Sequence, residues 1–403
     1  MSLSPAGPIR SLEELRNHLQ YAIGIELATI PAYLYALYSI EEGKNTAVAE
    51  VIQSVALEEM LHMTLAANVL NAIGGVPRPD PVTGPEAGNP IPVYPAAVPF
   101  IDQIPPIHLR RFSPEAVDTF LRIEQSAAPG ASAGPAADGQ QYASIGEFYA
   151  AIEEGLRTLG TDEVFAEARR SRHGCQVPPQ HYYGGAGRLI EVTDLASALA
   201  ALDEIVREGE GMPVETLGQT VAEHATRAAA AGAARAPGVD DGDVLPFGWK
   251  MYSHYARFRE IREGRRYRPS QLVADRPAGD VLPVEWAAVL PAAADPKARH
   301  VEGTAAWAPM VECDLTYSDL VDTLYRAYNG EPEALQSAVT VMYDLKYQAV
   351  ALMRTPSPLD QSTTLGPGFE YLPATARTDP RLQAVAGGRP SPEHPGMTIT
   401  RRS

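Results

Sequence analysis

The stretch Val55-Ala56-Leu57-Glu58-Glu59-Met60-Leu61-His62-Met63-Thr64-Leu65-Ala66 places two titratable side chains where an apolar seam should run. Val48, Ile52, Val55, Glu59, His62, Ala66, Val69 and Ile73 recur at three-four spacing and mark one face of a helix over 46–73. Such a face turns toward a core. Glu59 and His62 therefore occupy consecutive core slots. Upstream, Leu12, Leu15, Leu19, Ala22, Glu26, Ile30, Tyr33 and Leu37 mark a helix over 11–41 with Glu26 in a core slot. Ser11 and Glu14 stand in capping-box spacing at its start, and Pro31 is expected to kink it.

Only Gly43-Lys44-Asn45 separates the two helices, so they form an antiparallel hairpin. Glu26 lies 17 residues before Gly43 and Glu59 lies 16 after it, which sets the two carboxylates level and facing. Two facing carboxylates in a core cost several kcal/mol in desolvation and repulsion unless a cation sits between them. One Glu from one helix with Glu-x-x-His from its neighbour is half of the dimetal site of ferritin-like bundles.

A second half is sought downstream. Helices are expected over 113–125, 144–172, 194–209, 247–264, 317–329 and 332–353, with irregular chain over 76–112, 173–187 and 265–315. Glu124 falls inward below Val117, Phe120 and Leu121; Glu210 continues the stripe of Leu195, Leu199, Leu202 and Val206; His254 sits among Phe247, Met251, Phe258 and Ile261. The metal-ligand set is then Glu26, Glu59, His62, Glu210, His254 and Glu124. A symmetric site would carry Glu where Met251 stands, which leaves open whether one metal or two bind. Glu58 and Glu153 flank their seams and read as supporting or surface groups, and seven other histidines lie in loops or off the seams.

The fold expected is all-α: a ferritin-like four-helix bundle with long irregular loop insertions and added C-terminal helices. Residues 1–265 would form the metal-binding bundle, 266–374 loops and a helical extension packed on it, and 375–403 a disordered tail. A formal charge of −17 argues against nucleic-acid and anionic-membrane surfaces. Two distant cysteines, Cys175 and Cys313, signal neither a disulfide framework nor a zinc ribbon, and a cytoplasmic location is expected. Tyr21 to Ile40 is of bilayer length, but Glu26 at its middle and four tyrosines argue against a membrane span.

Several segments carry a family resemblance: Ile25-Glu26-Leu27-Ala28-Thr29-Ile30-Pro31-Ala32-Tyr33-Leu34, Glu58-Glu59-Met60-Leu61-His62-Met63 and Asn71-Ala72-Ile73-Gly74-Gly75. Further blocks are Ile145 to Tyr149, Glu208-Gly209-Glu210-Gly211, Ser253 to Phe258 and Gly366-Pro367-Gly368-Phe369-Glu370-Tyr371. Together they resemble the ferritin-like domain of iminophenyl-pyruvate dimer synthases from about residue 10 to 373. That family includes enzymes that couple two tryptophan-derived imines in violacein and rebeccamycin biosynthesis, and those are longer chains, so this one would be a stand-alone member.

The resemblance implies an oxidative enzyme of secondary metabolism acting on an amino-acid-derived imine or related aromatic, with oxidative coupling as one reaction. Iron, two per chain, is the metal expected, with manganese and cobalt as alternatives; O₂ or peroxide would be the co-substrate. The loops at 76–112 and 173–190 and the segment Gly366 to Tyr371 would shape the substrate pocket. No residue is assigned a catalytic role, and a homodimer is left open. The rival readings are a metal-storage or detoxifying bundle with ferroxidase or peroxidase activity only, and a metal-free scaffold.

Overall fold

The structure, a computed structural model, describes residues 8–79, 91–101, 103–125, 142–182, 187–209, 252–268 and 270–387. Two long helices organise it. α1 spans Leu12–Ser39; the Ser11 side chain accepts from the Glu14 amide, while Glu14 reaches back to the amide of Arg10. Helix α1 continues through Pro31, which has no N–H to give the carbonyl of Leu27. Gly43 and Asn45 adopt left-handed backbone (φ 75° and 47°) to reverse the chain into α2, Thr46–Ala72. Gly74, at φ 77°, ends that helix.

Both helices are buried on nearly all sides, as expected of helices apolar around most of their circumference. Five shorter helices cover one side of the hairpin. These are α3 (Pro114–Ile123), α4 (Ile145–Leu159), α5 (Asp162–Ser171), α6 (Leu195–Glu208) and α7 (His254–Glu263). They pair as α3 with α7 and α4 with α6; α6 and α7 rest on α2, and α4 rests on α1. A second hairpin, α8 (Trp307–Ala327) and α9 (Ala334–Met353), packs on α1, and a short α10 (Pro380–Ala386) rests on α8. Among the described residues, extended pairing is limited to isolated bridges, so the chain is all-α with long loops, as expected. No described helix is long and apolar enough to cross a membrane.

Several expected boundaries move. The single helix expected over 144–172 is broken at Gly160, and Thr161 caps a new start. The pattern-poor stretch 265–315 hides the first turns of α8, where Pro309 is tolerated because first-turn amides need no intrahelical partner. The helix expected from Phe247 starts at His254, capped by Ser253, and 247–251 lie outside the described residues. The tail expected to be disordered from Thr375 instead forms a 3₁₀ turn and α10, with Asp379 as cap and Pro380 in the first turn; 388–403 lie outside the described residues.

The described loops pack on the helices. Tyr94 donates to the carbonyl of Ala28 on α1, and Phe100 packs edge-on against Tyr21 and stacks on the ring of His18. Asn68 and Asn71 of α2 bind the carbonyls of Val177, Ile190 and Cys175, pinning the loop after α5. His18 is a packing histidine, bonded to the Glu14 carbonyl and the Tyr142 hydroxyl.

Candidate metal centre

Glu26 on α1 and Glu59 and His62 on α2 meet in the interior, as the hairpin register requires. His62 Nδ1 lies 3.2 Å from Glu59 Oε2 and 3.9 Å from Glu26 Oε2. Glu124, the residue that ends α3, and His254, the first of α7, complete the group. His254 Nδ1 lies 3.1 Å from Glu59 Oε1 and 3.5 Å from Glu124 Oε2. All five side chains are wholly buried. Their ligand atoms fall into two clusters, Glu26–Glu59–His62 and Glu59–Glu124–His254, each with its atoms within 4.8 Å of one another. Glu59 belongs to both.

The polar atoms that face one another here are not satisfied by the protein. Glu26 Oε2, Glu59 Oε1, Glu124 Oε2 and His254 Nδ1 are buried without a hydrogen-bond partner, the last three close together but misaligned. Orphaned buried acceptors are rare, because each carries a desolvation cost of about 1–3 kcal/mol. Three carboxylates and two imidazoles around such atoms form a donor set suited to a pair of divalent transition metals. The residues fit the group.

Three of the five candidate ligands are held from behind. Tyr149 of α4 donates to Glu26 Oε1, and Tyr33 of α1 donates to Glu124 Oε1 at 2.5 Å. Glu58 Oε2 lies 2.7 Å from both His254 Nε2 and Arg257 Nη1. The imidazole is thereby fixed through one nitrogen while the other faces the interior. Gly209, which ends α6, lies so close that a β-carbon there would come within 2.0 Å of His254 Nδ1.

Electrostatics divide the carboxylates. Burial pushes the Glu26 carboxyl well above the usual range, and the neighbouring Glu59 pushes it further. Burial likewise raises Glu124. Burial would raise Glu59 too, but His254 and His62 outweigh it and hold that carboxyl below the usual range. Burial pulls the His254 imidazole down, and Glu59 with Glu124 overcomes this to lift it well above the usual histidine value. A cation binding here would compete with protons for Glu26, Glu124 and His254.

Five of the six expected ligands thus converge; the sixth, Glu210, and Met251 lie outside the described residues. Glu153 is exposed and paired with Arg157. Sequence reasoning placed Glu58 beside the seam without its partners, His254 and Arg257, which lie on a helix far along the chain. An apolar cavity takes part of its lining from the expected segment Gly366 to Tyr371, through Phe369, and none from the described residues of the loops at 76–112 and 173–190. That cavity lies between α1, α2, α8 and α9. Tyr182 does not line it, and Tyr183 lies outside the described residues.

A family model described as Ferritin-like matches residues 19–263. The chain is 23% identical over 420 residues to a dichlorochromopyrrolate synthase of Lentzea aerocolonigenes, a match covering 90% of this chain and 36% of that protein. The chain therefore spans little more than a third of the length of that curated relative. Among solved structures, a ferritin-like protein of Caulobacter vibrioides aligns with a TM-score of 0.53 at 22% identity. That alignment covers 91% of this chain and 100% of the other, and it shows a shared fold.

Proposed function

The chain belongs to the ferritin-like family, and from that premise we propose a metal-dependent oxidase or oxygenase. It uses O₂ or peroxide on a small, amino-acid-derived aromatic or imine substrate in secondary metabolism. The observation that carries this reading is the set of four buried, orphaned ligand atoms at the meeting of α1, α2, α3 and α7. Glu26, Glu59 and His62 would hold one metal, and Glu59, Glu124 and His254 the other, with iron the first expectation. Bound there, a redox-active metal pair supplies or accepts electrons and activates the oxidant. The likeness to a synthase, at 23% identity, supports an oxidative reaction over storage.

The chain's own residues prepare the site in three ways. Complete burial of all five ligands excludes bulk water, which strengthens every charge interaction inside. The phenols of Tyr149 and Tyr33 hold Glu26 and Glu124 by one oxygen each, leaving the second oxygen of each for the interior. Those same phenols are the nearest proton donors to the two carboxylates whose basicity burial has raised.

Anaerobic titration of metal-stripped protein with Fe(II), followed by exposure to O₂ or peroxide, tests the reading. Uptake of about two equivalents per chain, with oxidant consumed in proportion, is the expected result. Continued uptake far beyond two, in a large shell on sizing, would favour storage. No uptake by folded protein would overturn the proposal.

A further inference from the structure

α9 is poor in charge for a helix at the surface. Asp344 and Lys346 are its only charged residues among 20, yet only seven of the 20 are buried. Packing on α8 and α1 buries one stripe, which includes Leu335, Ala338, Leu345, Ala349 and Leu352. A helix apolar around most of its circumference is expected to be covered on more than one side. The long hairpin helices α1 and α2 are buried in that way.

The outer face of α9 carries a specific pattern. Tyr343 and Tyr347 are 57% and 71% exposed. Counted at about 100° per residue, they lie about 40° apart, astride the direction opposite the buried Leu345. Asp344 and Lys346, both exposed, flank that direction at about 80° on either side. Neither has an ion-pair partner among the described residues. On the Lys346 side the patch continues through half-buried Val339 and Met342 to Leu57 and Met60 of α2. Contiguous apolar surface marks protein–protein contacts, in which tyrosine and methionine are enriched.

The charge pattern says what covers this face. Two copies of one helix can face each other across a two-fold axis in two ways. An axis perpendicular to α9 makes the copies antiparallel and keeps each flank opposite itself, so that like charges meet. An axis parallel to α9 makes the copies parallel and exchanges the flanks. Asp344 then meets Lys346 of the partner subunit, about 3 Å further along the helix. The face is thus complementary to itself in one orientation. A chain of net charge −17 repels its own copies over the rest of its surface, which favours contact where charge is balanced.

We propose that the outer face of α9 is the interface of a parallel, two-fold homodimer. Tyr343 and Tyr347 pack on their counterparts, and Asp344 pairs with Lys346 of the partner subunit on each flank. The five candidate metal ligands lie elsewhere, on α1, α2, α3 and α7. The inference does not depend on the chemistry of the metal centre.

Sedimentation equilibrium of the full chain tests it. Wild type should weigh about twice the 43.3 kDa of one chain. Asp344→Lys and Lys346→Asp, made singly, set like charges together and should each raise the dissociation constant about 10-fold or more. Combined in one chain, the two restore opposite pairs and should return it close to the wild-type value. Tyr343→Glu with Tyr347→Glu should give a monomer with the helicity and melting temperature of wild type. A wild-type chain that stays monomeric at its highest soluble concentration would overturn the proposal and leave the face to a different partner. So would a dimer that survives the tyrosine substitutions, or a double charge exchange no tighter than the single ones.

Discussion

Glu58 Oε2 approaches Nε2 of His254 at 2.7 Å, while the adjacent Glu59 faces Nδ1 of the same ring at 3.1 Å. Two consecutive glutamates thus address opposite nitrogens of one imidazole, one fixing it and the other belonging to the same candidate cluster. Replacing Glu58 by Gln should keep the fold but weaken the cluster that contains His254. Affinity for the second metal should fall about 10–100-fold, with the first scarcely changed, as read by stepwise Fe(II) or Co(II) titration. Equal weakening of both steps would contradict this assignment.

Glu59 is common to both clusters. Glu59→Ala should therefore reduce bound metal from about two per chain to about zero, whereas His62→Ala or His254→Ala should leave about one. Elemental analysis beside circular dichroism separates metal loss from unfolding. Independent loss of a single metal in Glu59→Ala would show that the clusters do not share it.

Gly209 leaves no room for a β-carbon beside His254. Gly209→Ala should displace the imidazole and abolish the second metal while sparing the hairpin cluster. A melting temperature within a few degrees of wild type, together with about one metal per chain, is the expected pair of readings.

Asp314 gives a pH dependence independent of the metal ligands. Burial, reinforced by Glu370 and opposed by the Glu370 amide and Lys297, pushes its carboxyl well above the ordinary aspartate range. The folded state therefore binds this proton more tightly than the unfolded state. The stability it contributes is complete below the ordinary aspartate range and is lost as pH rises to the raised value. Asp314→Asn retains an oxygen for the Glu370 amide and removes the titration. Its melting temperature should exceed that of wild type as pH rises above the ordinary aspartate range, with a flatter profile from there upward. Parallel profiles for the two proteins would show that Asp314 is not held protonated.

The hairpin and the meeting of Glu26, Glu59 and His62 were legible because one period governs them: a 3.6-residue repeat, interrupted by polar residues, reflected through a three-residue turn. Glu124 and His254 were legible as inward-facing, but their meeting was not, since 130 residues separate them and no local rule pairs α3 with α7. Glu58 was harder still. It lies off the apolar seam, and its partner stands 196 residues away; the one available signal was Arg257, three residues after His254 on the same helix face. The start of α8 was hidden by Pro309, which reads as a breaker anywhere except a first turn. The cavity escaped notice because most of its lining consists of apolar residues that read as ordinary core.

The distribution of ligands along the chain also sets an order of assembly. Glu26, Glu59 and His62 are all present once residue 62 has been synthesised, and they need only a hairpin of local contacts. The other cluster waits for His254, across long stretches of chain whose closure is slow. A nascent chain thus carries one candidate cluster long before the other exists. Under the proposed function, a first metal would be able to enter during synthesis and hold α1 against α2, and a second would be able to enter only after α7 has docked.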